Sequence, residues 1–341
     1  DFDPILKKYY TFELPNKKGQ DWSYLTGWHG ENTTEMAKKI EEMFVSCELG
    51  RYQTFSVNET IFEYGLLEEF LDGIDENIIN RLINHEILSK QEAKSTLIEI
   101  SNGNCNSHQI AAFLTVYMMR NITIEELSGF REALLELCIP VDFSAYDTID
   151  LCGTGGDGKD TFNISTLSSF IVAGAGYKVA KHGNYGVSSI SGSSNVMEQM
   201  GVKFSNEQEF LTKCMEEANI AILHAPLFHP AMKNVGPIRK ELGVKTFFNM
   251  LGPMVNPSFP KFQMVGVFSL ELARMYAYLY QKTETKYAIL HGLEGFDEVS
   301  LTDNVKIITN LTETINSPAD FLFEKIQLAD IKGGNTIEES A

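Results

Sequence analysis

The sequence predicts an α/β protein, with a small helical domain ahead of a larger α/β domain built on a largely parallel central sheet. Three observations predict it. From about residue 80 to residue 138, apolar residues recur at helical spacing. After Tyr146 the rhythm changes to short apolar runs alternating with helical ones, the pattern of a parallel sheet with crossover helices. The first of those runs feeds "GTGGDG" (Gly153–Gly158), a glycine-rich turn between strand and helix.

Bulk properties narrow the function classes. The chain has 341 residues, and ~150 residues per domain gives about two domains. Hydrophobic residues make up 43% and charged residues 22%, which is ordinary for a globular chain. The formal net charge of −18 argues against nucleic acid as a main partner, because that binding rests on a basic surface. A local set of donors with a metal ion still allows a small anionic substrate. No run reaches the ~18 apolar residues a membrane span needs, and the opening "DFDPILKKYY" lacks a signal pattern. Five scattered cysteines without a CxxC fit reduced thiols, hence a cytoplasmic protein.

Taken in order, residues 1–77 form an acidic extension with 16 acidic and 7 basic residues and both tryptophans. It reads as a loop, a helix from Thr33 or Thr34, and the strand-like "YQTFSVNETIFEYG"; no catalytic signature stands out. Residues 78–145 form the helical domain. "SHQIAAFLTVYMMRN" puts Ile110, Phe113, Leu114, Tyr117 and Met118 on one face, with Ser107 as cap. Thr123 and Glu126 have the spacing of a capping box. Residues 146–341 form the α/β domain. "TIDLCG", "YKVAKHG", "IAILHAP", "FQMVGVF" and "KYAILHG" read as strands; "STLSSFIVAGAG", "SSNVMEQMG", "EQEFLTKCMEEA", "HPAMKNVGPIRKELG" and "SLELARMYAYLYQKT" read as helices.

Four strand ends carry candidate chemistry, where α/β sheets bind ligands. Glycines at Gly153, Gly155 and Gly156 let backbone N–H groups converge on an anion at a helix start; a tight turn needing positive φ would account for a lone glycine run equally well. Asn163, Ser165 and Thr166 begin the next helix, as caps or as donors to a phosphate-bound Mg²⁺. Lys181 sits where the second strand becomes the donor-rich loop "KHGNYGVSSISGSSN". His229 and Arg239, ten residues apart, would return to one helix face if the helix is continuous. Adjacent carboxylates Asp297 and Glu298 in "HGLEGFDEVS" repel unless a cation shares them or the turn is solvated.

At these residues the sequence resembles the anthranilate phosphoribosyltransferases. The matching blocks are "GTGGDG…FNIST", "KHGN…VSSxSGSS", "HPAMKNVxPIRKELGVKTFFNMLGPMVNP" and "GFDEVS", in that order, over about residues 79–341. The resemblance implies a fold of the nucleoside phosphorylase/phosphoribosyltransferase kind and a homodimer joined through the helical domain. It implies transfer of phosphoribosyl from phosphoribosyl pyrophosphate to anthranilate, with Mg²⁺ and with no covalent nucleophile. It assigns phosphoribosyl pyrophosphate to Gly153, Thr154, Gly155, Gly156, Asp157, Thr161, Asn163, Ser165, Thr166, Lys181, Asn184 and Ser193. It assigns anthranilate to Gly153, His182, Asn184, His229 and Arg239, and the metal to Ser165, Asp297 and Glu298. Tyr185 and Ile190 stand where the family often has arginine and lysine, and Asn195 where it has aspartate. The chain also stops at Ala341, before helices that the family usually adds, and residues 1–77 match nothing in it. Two alternatives stay open: a pyrimidine nucleoside phosphorylase, and a non-catalytic relative whose extension binds a partner.

Overall fold

In the computed structural model, residues 76–186 and 191–341 are described. Residues 1–75 of the acidic extension, with its helix near Thr33, and Ile190 lie outside them, and residues 76 and 77 belong to the first helix.

Four helices come first: α1 (Glu76–Ile83), α2 (Lys90–Asn102), α3 (Ser107–Met119) and α4 (Ile124–Glu136). The start of α3 differs by one residue from expectation. Asn106, not Ser107, is the cap, and its side chain accepts the N–H groups of His108 and Gln109 at 3.0 Å each. Asn106 is one of the residue types that best satisfies the orphan donors of a helix start. The capping box of α4 forms as read: Glu126 N–H donates to Thr123 Oγ1 (3.2 Å), and Thr123 N–H to Glu126 Oε2 (2.9 Å).

Glu126 does more than cap. It is fully buried, and its carboxylate also accepts from Leu88 N–H (3.0 Å), the Tyr117 hydroxyl (2.9 Å) and the Arg120 guanidinium. Those donors tie α3, α4 and the α1–α2 connection together. They hold its carboxyl below the usual range despite burial.

The remaining elements are β1 (Thr148–Gly153), α5 (Ile164–Gly174), β2 (Lys178–Gly183), α6 (Ser193–Gln199), α7 (Gln208–Ala218), β3 (Ile220–His224), α8 (Ala225–Phe228), α9 (Gly236–Leu242), α10 (Phe248–Leu251), β4 (Phe262–Gly266), α11 (Leu270–Tyr280), β5 (Lys286–Gly292), β6 (Val305–Thr309), β7 (Glu313–Asn316) and α12 (Ile337–Ser340). The sheet order is β3-β2-β1-β4-β5-β6-β7. The five anticipated strands pair in parallel, and β6 and β7 add an antiparallel edge that the sequence reading did not name. One expected helix is split. "HPAMKNVGPIRKELG" forms a 3₁₀ turn over Pro230–Lys233 and then α9, because Gly236–Pro237 starts a new helix.

The helices and the sheet share one core. Phe113, Tyr117 and Phe130 from the helical region pack against Phe247 from the α/β region, with Phe130 and Phe247 stacked at 4.5 Å. Arg131 of α4 donates from Nε to Met254 O (3.0 Å), a second tie across the join.

Replacing Glu126 with alanine would leave the Arg120 charge, 7% exposed, without its partner. Urea denaturation of Glu126→Ala should show a loss of about 3–5 kcal/mol.

Candidate active site

Two strand ends shape the site. Gly153 closes β1 and is paired with Gly266, which closes β4. A Cβ on Gly153 would stand 2.5 Å from Asp297 Oδ2, and one on Gly266 would stand 1.5 Å from Asp297 O. Glycine is required at both because the Asp297–Glu298 turn crosses directly over the strand ends. Beyond Gly153, Gly155 and Gly156 adopt φ of +64° and +78°, a region that side chains rarely enter.

The loop amides do not all face outward as the sequence suggested. Thr154 N–H donates to Gly266 O (2.9 Å), and Gly155 N–H donates to Asp297 Oδ2 (2.7 Å). The glycine loop therefore already grips a carboxylate of its own chain. Lys245 Nζ donates to Gly156 O at 2.5 Å.

Carboxyl groups that resist ionisation are concentrated here. Burial, then the nearby Asp157 charge, pushes Asp297 up to about 7, against the opposing pull of Gly155 N–H. Glu298 is pushed well above the carboxylate range by burial and by Asp297. Asp157 accepts Lys159 N–H at Oδ1 (3.1 Å), while its Oδ2 is buried without a partner. Lys181 is 2% exposed and donates to Leu151 O (2.6 Å). Its charge thus acts from beneath the loop, near Asp150 and Glu298, and burial lowers its pKa. Asp150 is fastened by Asn256 Nδ2 (2.9 Å), Gln263 Nε2 (3.3 Å) and His182 N–H (3.2 Å).

Among the described residues, no three or more acidic, histidine or cysteine side chains close into a protein cage for a metal. Mg²⁺ does not need one: it is typically held by one or two carboxylates and keeps several waters. The residues present fit it, since Asp297 and Glu298 are hard oxygen donors whose ionised forms the fold leaves undercompensated. Ser165, whose backbone lies against Glu298, starts α5 beside them.

The β2–α6 side brings Asn184 and Ser193 together, with Ser193 Oγ 3.4 Å from Asn184 O. Gly183 makes room, since a Cβ there would lie 2.3 Å from Ser193 Oγ. Asn163, the residue before α5, makes no capping bond; its Nδ2 reaches Ser191 O at 3.4 Å. Thr154 Oγ1 and Thr166 Oγ1 are buried without partners. Thr161 instead forms a bridge with Lys332. Asn195 Oδ1 accepts Gly186 N–H and Gly192 N–H, both at 2.9 Å. A neutral amide serves that closure, so Asn195 has a clear structural task.

A third group holds two buried histidines, with ring centroids 5.2 Å apart. His182 Nδ1–H donates to Gly252 O (3.1 Å), which leaves Nε2 as a buried, unpartnered acceptor. Burial and the neighbouring His229 lower His182 to about 3; burial lowers His229 to about 4. Both are neutral at pH 7. Arg239 bonds Asn249 Oδ1 (3.3 Å) and lies 5.1 Å from the Phe248 ring centre, with Nε buried and unpartnered. Because the helix breaks before α9, the shared helix face proposed for His229 and Arg239 does not exist.

Lys245, Asn249 and Asn256 were not singled out from the sequence. All three lie in "VKTFFNMLGPMVNP", where no spacing rule marks them. Lys245 and Asn249, with Tyr117, Phe247 and the Gly155–Gly156 backbone, border a cavity of about 300 Å³.

A glycine loop under a carboxylate turn, on a sheet joined to a helical bundle, defines a class of group-transfer enzyme. The chain matches "Glycosyl transferase family, helical bundle domain" over residues 76–138 and "Glycosyl transferase family, a/b domain" over residues 145–341. It is 74% identical over 265 residues to the anthranilate phosphoribosyltransferase of Flavobacterium psychrophilum, covering 78% of this chain and 80% of that one. To its counterpart in Flavobacterium johnsoniae it is 72% identical over 264 residues, 77% and 80% of the two chains. Among solved structures, the anthranilate phosphoribosyltransferase of Thermus thermophilus aligns with a TM-score of 0.71 at 32% identity, over 77% of this chain and 79% of that one. The Saccharomyces cerevisiae enzyme, in complex with PRPP and Mg, aligns with a TM-score of 0.72 at 27% identity, over 78% and 79%. The chain belongs to the anthranilate phosphoribosyltransferase family. No helix among the described residues is long and apolar enough to cross a membrane.

The raised Asp297 gives a signed prediction. Its contribution to stability is complete below the unfolded carboxyl value of ~3.9 and is lost as pH rises through about 7. In Asp297→Asn the amide oxygen still accepts Gly155 N–H but carries no charge. In metal-free buffer at pH 8 its Tm should exceed the wild type by a few degrees, ~2–4 °C per kcal/mol relieved. The difference should vanish near pH 4.

Proposed function

We propose that this chain transfers the phosphoribosyl group of phosphoribosyl pyrophosphate to anthranilate, giving N-(5-phosphoribosyl)anthranilate and pyrophosphate in tryptophan biosynthesis. The observation that carries this reading is the Asp297–Glu298 turn lying on the glycine loop, with both carboxyls raised by burial, Asp297 further by the Asp157 charge and Glu298 further by Asp297. Such a site is electrically incomplete without a cation and its phosphate counter-ligand. The family membership supports the same reading and favours it over the phosphorylase alternative.

Asp297, Glu298 and Ser165 would hold Mg²⁺, which supplies charge neutralisation on the departing pyrophosphate. Gly153–Gly156, Asp157, Thr161, Asn163 and Thr166 border the phosphate end, Asn184 and Ser193 engage the ribosyl phosphate, and the buried Lys181 charge adds a favourable field. Neutral His182 offers Nε2 as an acceptor to the aromatic amine N–H, with its ring fixed by Gly252 O. His229 borders it and remains uncharged. Arg239 anchors the carboxylate, a role suited to a planar two-pronged donor. An aromatic amine is largely neutral at pH 7, so these residues orient it and exclude water, and no strong base is required. A homodimer through the helical region belongs to the same proposal; Met118 and Met119 are exposed at the end of α3.

The direct test is the loss of anthranilate fluorescence with phosphoribosyl pyrophosphate and Mg²⁺. Turnover that stops on chelation is expected; no turnover, with phosphorolysis of thymidine or uridine instead, would overturn the assignment. Arg239→Ala should raise KM for anthranilate about tenfold or more, the equivalent of ~1.4 kcal/mol or above. If only the KM for phosphoribosyl pyrophosphate rose, the aromatic pocket would be misplaced.

A further inference from the structure

A buried polar cluster lies beside the site, at the end of β3. His224, the last residue of β3, is 6% exposed, and its Nδ1 lies 2.8 Å from Ser194 Oγ. Ser194 is itself 1% exposed. The His224 ring stacks on Phe204 at 4.4 Å and meets the edge of Tyr185 at 4.8 Å. His224 is thus clamped on two sides, and its Nδ1 contact points at the start of α6.

That contact matters because of what flanks it. His224 is in register with Gly183, the last residue of β2. Asn184 follows Gly183, and Asn184 O accepts both Ser194 N–H (3.1 Å) and Ser193 Oγ (3.4 Å). The first turn of α6 is therefore stitched to two adjacent strand ends: to β2 through Asn184 and to β3 through His224. Both attachments are made by Ser194, the residue that directly follows Ser193. The hydroxyl-to-imidazole bond is buried, and so it is geometrically demanding.

We propose that His224 is a positioning residue for phosphoribosyl pyrophosphate: through Ser194 it fixes where Ser193 stands relative to Asn184. The inference rests on the assignment of Ser193 and Asn184 to that substrate. It adds a device in which Tyr185 packs on His224, at a position where the family resemblance leads to an arginine. Here the loop contributes order through aromatic packing instead of positive charge at that residue.

The test is steady-state kinetics of the full chain with both substrates varied. His224→Phe keeps an aromatic ring against Phe204 and removes the partner of Ser194. Ser194→Ala removes the other half of the bond with little change in volume. Each should raise KM for phosphoribosyl pyrophosphate about five- to tenfold, the scale of one buried hydrogen bond. The kcat and the KM for anthranilate should stay within about twofold. The double variant should be no worse than either single one, because both remove the same interaction. His224→Asn, whose side-chain amide can stand where Nδ1 stood, should restore most of the affinity. Unchanged KM in Ser194→Ala, additive effects in the double variant, or an equal fall in kcat would overturn the proposal. If His224→Phe folds poorly, Ser194→Ala and His224→Asn decide the matter alone. A wild-type chain that turns over no anthranilate would defeat the underlying functional reading, and this inference with it. An active wild type with unaffected variants would defeat this inference only.

Discussion

Everything at the site depends on one close approach: the Asp297–Glu298 turn lies across the ends of β1 and β4. It fits only because Gly153 and Gly266 lack side chains, since their Cβ atoms would fall 2.5 and 1.5 Å from Asp297 atoms. The approach brings a carboxylate within 2.7 Å of Gly155 N–H and sets the half-buried Glu298 next to it. Burial then does the electrostatic task, raising both carboxyls and creating a demand for positive charge. In a chain of net charge −18 the long-range field repels anions. Only a local arrangement of cation, amides and buried Lys181 makes a polyanionic substrate bindable.

A second constraint is the turn that joins sheet and helices. Gly252 O fixes His182, Met254 O receives Arg131 of α4, and Asn256 holds Asp150 of β1. Phe247, a few residues earlier, fills the aromatic core of the helical region. The orientation of His182, the anchoring of Asp150 and the seating of the helices are thus parts of one short segment. A perturbation there should propagate to the imidazole acceptor as well as to the bundle.

Much of this was legible in the sequence where local rules apply. The five parallel strands follow from short apolar runs, and the Thr123–Glu126 capping box from its spacing. Other features depend on long-range contacts that no local pattern reports. The strand β7 reads poorly because "ETIN" is largely exposed and has no buried face to alternate. The break at Gly236–Pro237 is announced by the proline, while the ten-residue spacing of His229 and Arg239 suits one continuous helix. The engagement of Thr154 and Gly155 amides could not be read locally, since their acceptors lie 112 or more residues away. Lys245 and His224 carry no motif, and only the folded chain brings them beside Gly156 and Ser194.

The Asp297–Glu298 turn leaves the site one cation short. Calorimetric titration of phosphoribosyl pyrophosphate into the full chain, with and without Mg²⁺, tests it most directly. Saturable binding with Mg²⁺ is expected, and at least about tenfold weaker binding in chelator, a difference of ~1.4 kcal/mol or more. Equal affinity in the two conditions would contradict it.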